Sequence, residues 1–250
     1  MTLRLTGFAA AALILAAAVV RIGLAMPAFG AHPMPYGDAV NRIAPVERHV
    51  SNMVTAVNFD IRGFDTLGEE FMLVCAVTGA VVLLRGKRGE DLTAKPALLP
   101  GRPTSPPSDA VVLMARLVGP AMTVFGLYVV LHATVTPGGG FQGGVILASG
   151  TLLFWLAEGY RGWRRIVTAR RLDVVEGGGA LVFALCGLAS LAAGAPFMAN
   201  LLPCGTFRDM LSGGLMQLEN AGVALAVAGG FTLLFLEFLE ETRAPEEDGE

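Results

Sequence analysis

Lysine is almost missing from this 250-residue chain: Lys87 and Lys95 are the only two, both in a polar stretch between apolar runs. No apolar segment therefore carries a lysine. Cysteine and histidine are also scarce, three of each. Cys75, Cys186 and Cys204 lie far apart and mostly inside apolar runs, which excludes a disulfide framework and a CxxC metal or redox site; they read as small packing residues. His32, His49 and His132 are too dispersed for metal-ligand spacing. Charged residues make up only 16% of the chain, for a net charge of −3. No GxSxG or HExxH occurs, and GGGFQGG lacks the Lys-Ser/Thr ending of a phosphate-cradling loop. No enzyme activity of its own, no cofactor or resident metal and no nucleic-acid partner are expected.

Apolar residues dominate what is present. They make up 54% of the chain, with a mean hydropathy of +0.61, more apolar surface than one water-soluble core of this length can hide. A span needs roughly 20 apolar residues to cross about 30 Å of hydrocarbon. Six segments qualify: 5–26, 66–84, 111–135, 145–158, 174–194 and 215–238. The fourth is short, and it reaches full length only if its helix starts back among Phe141 and Gln142. The expected fold is an all-α polytopic membrane protein of the cell inner (plasma) membrane, with about six transmembrane helices against lipid.

Basic residues give the orientation, because they collect on the cytoplasmic side. With the N-terminus inside, the inner segments hold Arg4, Arg85, Lys87, Arg88, Lys95, Arg102, Arg116, Arg161, Arg164, Arg165, Arg170, Arg171 and Arg243. The outer loops hold Arg42, Arg48, Arg62 and Arg208, with Arg21 near the outer end of the first span. Both termini are expected in the cytoplasm. The first segment reads as a retained helix; the alternative is a signal peptide with a short apolar core after Arg4 and small residues around Ala28 to Ala31. The PALLPGRPTSPPS stretch cannot continue a helix, because proline lacks the amide donor. It gives a 2+4 arrangement: a two-helix module at 1–88, a Pro-rich cytoplasmic linker at 89–110, a four-helix domain at 111–240 and an acidic tail at 241–250.

Chemistry in such a chain falls to carboxylates and backbone. In NFDIRGFDTLGEEF, Glu69 and Glu70 sit three to five residues inside the second span, about 5 to 8 Å deep at 1.5 Å per residue. A charge at the bilayer centre costs about 2.5–3.5 kcal/mol on insertion scales, so such a group needs a partner, water or a proton. They are candidates for an ion pathway or carboxylates at a helix start. Asp60, Arg62 and Asp65 form either an ion-paired collar, with Asp65 or Thr66 as N-cap, or an ion entry. Pro137 ends the third span, and Gly138, Gly139, Gly140, Gly143 and Gly144 mark a helix break or a close helix approach, with Gln142 supplying amide groups. Carbonyls freed by a break can hold sodium. His132, one turn earlier, and Glu219, near the start of the last span, are further pathway candidates; their other readings are a hydrogen-bonded structural histidine and a carboxylate near water. Small residues four apart, Gly222, Ala226 and Gly230, and Gly144 with Ala148, favour close helix contact.

The runs MTVFGLYVVLHATVTPGGGFQGGVILASGTLLFWLAEGY and ANLLPCGTFRDMLSGGLMQLENAGVALAVAGGF resemble the MrpB (MnhB) subunit of the Mrp multisubunit cation/proton antiporters, across about residues 111 to 240. Residues 45 to 88 look like the C-terminal part of the large MrpA protein, which is similar to the MbhE protein of membrane-bound hydrogenases. The resemblance implies a fusion of two small subunits, hetero-oligomeric partners from the other Mrp-type subunits, and exchange of Na+ or another monovalent cation for H+. In that family the central lysine path lies in the large subunits, and this chain has no such helix. The resemblance therefore implies an assisting role that docks partners and supplies Glu69 and the glycine break to a cation route. SGGLMQLENAG departs from the mainly apolar helix start of the family, which leaves the role of Glu219 open. The alternative is a membrane-arm subunit of a redox-driven pump such as a membrane-bound hydrogenase.

Overall fold

A computed structural model describes residues 2–28, 30, 34–85 and 107–241. His32, most of the expected linker at 89–110 and nearly all of the tail lie outside the described residues. The chain divides into two compact units, Met1–Ala39 and Val40–Glu250. The first holds α1 (Thr2–Ala25), a helix whose described side chains are all exposed.

In the second unit, the end of α2 (Pro35–Glu47) leads to a single turn, α3 (Met53–Ala56), and a π-helical turn at Val57–Ile61. Long helices follow: α4 (Gly63–Arg85), α5 (Asp109–Leu131), α6 (Gly140–Arg164), α7 (Ala169–Ala192) and α8 (Leu215–Glu241). Six helices, α1 included, are long and apolar enough to cross a membrane, and no strand occurs among the described residues. The sequence reading thus gains α2, α3 and the π turn inside a stretch expected to be loop. The fourth span does start early, at Gly140, and its backbone leaves the helical path at Gly159 (φ 68°), beside the expected end at 158. The third stops at Leu131 rather than 135, because His132 caps it and the chain turns towards Pro137.

α8 lies at the centre, packed against α4, α6 and α7. Asn200 seats its start, accepting from Leu215 N at 2.9 Å and donating to Gly213 O at 2.8 Å. The contact with α6 is backbone to backbone: a Cβ at Gly140 would overlap Asn220 O, and one at Gly144 would stand 2.7 Å from Val227 Cβ. On α7 a Cβ at Gly179 would overlap both Ala226 N and Gly222 O. The small-residue stripes therefore join helices of this chain to each other. Two apolar clusters fill the interior, one around Phe59, Phe183, Met216 and Val227, the other around Val77, Trp163, Leu233 and Leu236.

Gly179→Ala should destabilise the unit by about 1–3 kcal/mol, because backbone atoms cannot yield as a side chain does. Gly178→Ala, with nothing within 4 Å of the new methyl, is the control. Thermal unfolding in detergent should show a lowered midpoint for the first variant alone; equal midpoints would contradict the contact.

Candidate functional site

Beyond the end of α5, the carbonyls of the turn at 133–136 lie outside the helix and need donors from elsewhere in the chain. The segment before α4 supplies them. Ser51 N and Asn52 N donate to Thr134 O at 3.0 and 3.2 Å, Asn52 Nδ2 to Ala133 O and Thr136 O at 2.8 and 3.0 Å, Thr55 Oγ1 to Ala133 O at 2.6 Å, and Ser51 Oγ to Val135 O at 2.6 Å. Asn52 Oδ1 also caps α3, accepting from Val54 N at 3.1 Å. These carbonyls are therefore taken by protein donors and are not open sodium ligands. The chain then bends at Gly138 (φ 153°) and Gly139 (φ 148°), torsions that favour glycine. Gly140 opens α6 and donates its N–H to Asn220 Oδ1 at 2.8 Å. The break is confined to the residues up to Gly139, while Gly140, Gly143 and Gly144 lie within α6 and serve its packing.

This bend forms one wall of a pocket of about 380 Å3. Gly138, Gly139, Gly140, Phe141 and Gln142 face Glu69, Glu70, Thr66 and Leu73 of α4, with Asn58 and Phe59 from the π turn. π turns recur at functional sites because they re-aim side chains out of helical register. A second cavity of about 190 Å3 shares Asn58, Thr66 and Glu69 with it and is lined further by Val57, Arg62 and Asp65. Polar lining thus continues from Arg62 to Glu70.

The two glutamates differ. α4 begins at Gly63, so Glu69 lies about 9 Å along it at 1.5 Å per residue. Glu69 is exposed on the chain, whereas Glu70 is 2% exposed and its Oε2 has no hydrogen-bond partner among the described residues. Asp65 sits in the first turn of α4 and pairs with Arg62 rather than capping the helix. Asp60 leaves that collar: its Oδ2 takes Arg48 Nε at 2.5 Å. The hydrogen bond and charge of Asp60 raise the Arg48 pKa above its usual value, with burial opposing.

Three other candidates stand apart from the pocket lining. His132 Nδ1 lies 3.0 Å from Tyr128 O, as a donor to that carbonyl, and its ring stacks on Tyr128. Glu219 is 1% exposed with Oε2 unpartnered, which corrects the reading of a carboxylate near water. Pro137 is exposed beside the bend.

The sequence reading missed Glu176, which is 5% exposed on α7 with Oε1 unpartnered. A lone acid in an apolar run, VVEGGGALV, was the available signal. It also missed Asn52 and Arg48, whose partners are about 80 and 12 residues away in sequence.

A family model for the domain related to the MnhB subunit of Na+/H+ antiporters matches residues 110–233. The B component of the Na+/H+ antiporter of Bacillus subtilis is 30% identical over 130 residues, covering 50% of this chain and 88% of that protein. The chain belongs to this MnhB-related family. An uncharacterized protein of Methanocaldococcus jannaschii is 29% identical over 220 residues, covering 80% of this chain and 81% of that one. A probable A/B component of a K+/H+ antiporter of Rhizobium meliloti is 28% identical over 221 residues, 78% of this chain but only 21% of that larger protein. Among solved structures, a chain of the membrane-bound sulfane sulfur reductase, an archaeal respiratory membrane complex, has a TM-score of 0.75 at 27% identity, covering 98% of this chain and all of that one. A chain of the Mrp complex from Dietzia sp. shares the fold, with a TM-score of 0.73 at 22% identity, covering 99% of this chain and 26% of that one. The MnhB-related region thus spans α5 to most of α8, and the protein is a multi-pass membrane protein.

Outside the membrane-spanning helices, burial pushes the Cys204 thiol above its usual pKa; Arg48 opposes the shift and Asp60 adds to it. Near neutral pH, Cys204 should be alkylated by iodoacetamide more slowly than an unperturbed thiol, because the thiolate is the nucleophile. Asp60→Asn should speed that alkylation, followed by mass spectrometry of the peptide; a slower or unchanged rate would contradict the electrostatic account.

Proposed function

We propose that this chain is an integral membrane subunit of a multisubunit monovalent cation/proton antiporter, and that its pocket passes Na+ or a related cation and H+. The observation that carries this reading is the meeting of Glu69 and Glu70 with the Gly138–Gln142 bend in one pocket. A carboxylate binds either a proton or a metal cation, so it can serve both ions of an exchanger in turn. Asn58, Thr66 and Gln142 supply neutral oxygens beside the carboxylates. The Arg62–Asp65 pair lies at the far side of the neighbouring cavity.

Partner subunits follow from the exposure of Glu69. A carboxylate that far along an apolar helix cannot face acyl chains, so a companion polypeptide covers it and closes the pocket wall. The asymmetry of basic residues supports placing both termini in the cytoplasm and the glycine bend near the outer face of the plasma membrane. Residues 1–88 form the module resembling the MrpA C-terminal region, joined through 89–110 to the MnhB-like domain at 111–240; the alignment over 221 residues with the Rhizobium A/B protein supports that junction. Catalysis of a covalent reaction is not part of the role.

The whole-length likeness to the sulfane sulfur reductase chain favours a second reading, a membrane-arm subunit of a redox-driven pump. Neighbouring genes decide between them: a hydrogenase or iron–sulfur subunit beside this one favours the redox complex.

In the assembled complex, reconstituted in vesicles, Glu69→Gln and Glu70→Gln should each lower cation-dependent proton flux by roughly tenfold or more, a barrier of about 1.4 kcal/mol. Gln142→Ala should cost less. If all three variants assemble and keep full flux, the chain is an assembly scaffold with no ion contact.

A further inference from the structure

The most unusual buried group outside the pocket is Glu176. It lies about 10 Å along α7 at 1.5 Å per residue, is 5% exposed, and has an unpartnered Oε1 and no ion pair among the described residues. Its place is built by α8. A Cβ at Gly229 would stand 2.7 Å from Glu176 N, and a Cβ at Gly230 would stand 2.9 Å from Glu176 Oε1 and 3.1 Å from Val77 Cγ2. Two adjacent glycines therefore open a notch in α8 that holds this carboxyl against α4. Val77 lies seven residues after Glu70, two turns along the same face of α4, about 10 Å away. Between them Leu73 lines the pocket and packs against both apolar clusters.

We propose that Glu176 is a proton-binding site that exchanges its proton with Glu70, extending the route from the pocket along the α4–α8 seam towards the arginine-rich end of the bundle. This assignment rests on the reading of the pocket as an ion path. A carboxylate buried without a cation is tolerated only with a proton bound or with water admitted. The acidic groups on the elements packed there are Asp173, one turn earlier on α7, Glu70 on α4, and Glu219 and Glu237 on α8, ten residues before Gly229 and seven after Gly230. Arg170 and Arg171, at the start of α7, are exposed. In the exchange one carboxyl O–H bond breaks and the other forms, bridged by water entering past Leu73 and Val77; no electron moves.

The test uses the full complex in vesicles, with assembly, cation-driven proton flux and its pH profile as readouts. Glu176→Gln keeps the shape but carries no proton, and should assemble while losing flux by roughly tenfold or more, as Glu70→Gln does. Glu176→Asp should keep part of the flux with a displaced pH profile. If Glu70→Gln is inactive but Glu176→Gln keeps normal flux, the inference fails and the function stands. If both keep normal flux, both readings fail. Should Glu176→Gln not assemble, Glu176→Asp decides, and an unchanged rate and pH profile overturn the proposal.

Discussion

Everything in the second unit depends on how closely α8 is approached by its neighbours. Hydrocarbon gives apolar helices no hydrophobic reason to associate, so contact must come from dispersion and short-range polar fit, which small residues allow. Gly140 and Gly144 on α6 and Gly179 on α7 let backbones meet the backbone or Cβ atoms of α8. That proximity lets Asn220 reach the Gly140 N–H, which would otherwise be an unsatisfied donor at a helix start, at a cost of about 1–3 kcal/mol. The glycine bend is fixed where it is because α8 holds the first residue after it.

A second consequence is polar. Helices that approach so closely leave little room for large side chains, yet α8 and its neighbours bury Glu70, Glu176, Glu219 and Glu237, and no Arg or Lys is buried among the described residues. Cations sit instead outside the buried interior, where Arg164 pairs with Glu240 and the exposed Arg116 with Glu158. The interior thus has acidic groups and few internal counter-charges.

Much of this was legible. Apolar run length gave six spans, and the glycine cluster with Phe141 and Gln142 gave the early start of α6, because both are local properties of the chain. The opposite wall of the pocket was legible only as separate candidates: Glu69 and Glu70 are about 70 residues from Gly139, and nothing local says that they meet it. The 51–55 segment escaped notice for the same reason, since Asn52 is an ordinary cap residue until its amide finds Ala133 and Thr136. Asp60 was assigned to its neighbour Arg62, whereas the fold gives it Arg48 and leaves Arg62 to Asp65. Glu176 was hidden by the apolar run around it, although an acid there with three glycines following was the stronger anomaly.

Under the proposed function these features explain why a chain without an intramembrane lysine still contributes to exchange. A buried carboxylate with no fixed counter-charge must be accompanied by a mobile one, either a proton or a metal cation, whenever it is occupied in the low-dielectric interior. A fixed lysine or arginine beside Glu70 would remove that requirement by supplying a permanent partner, and the site would then hold neither ion. The absence of such a partner among the described residues is therefore functionally useful: one ion can leave only as another arrives or as water enters. Leu73, which lines the pocket and packs against both apolar clusters, is the apolar layer that water must pass to reach Glu176. The coupling of the two ions then depends on that apolar layer as much as on the carboxylates it separates.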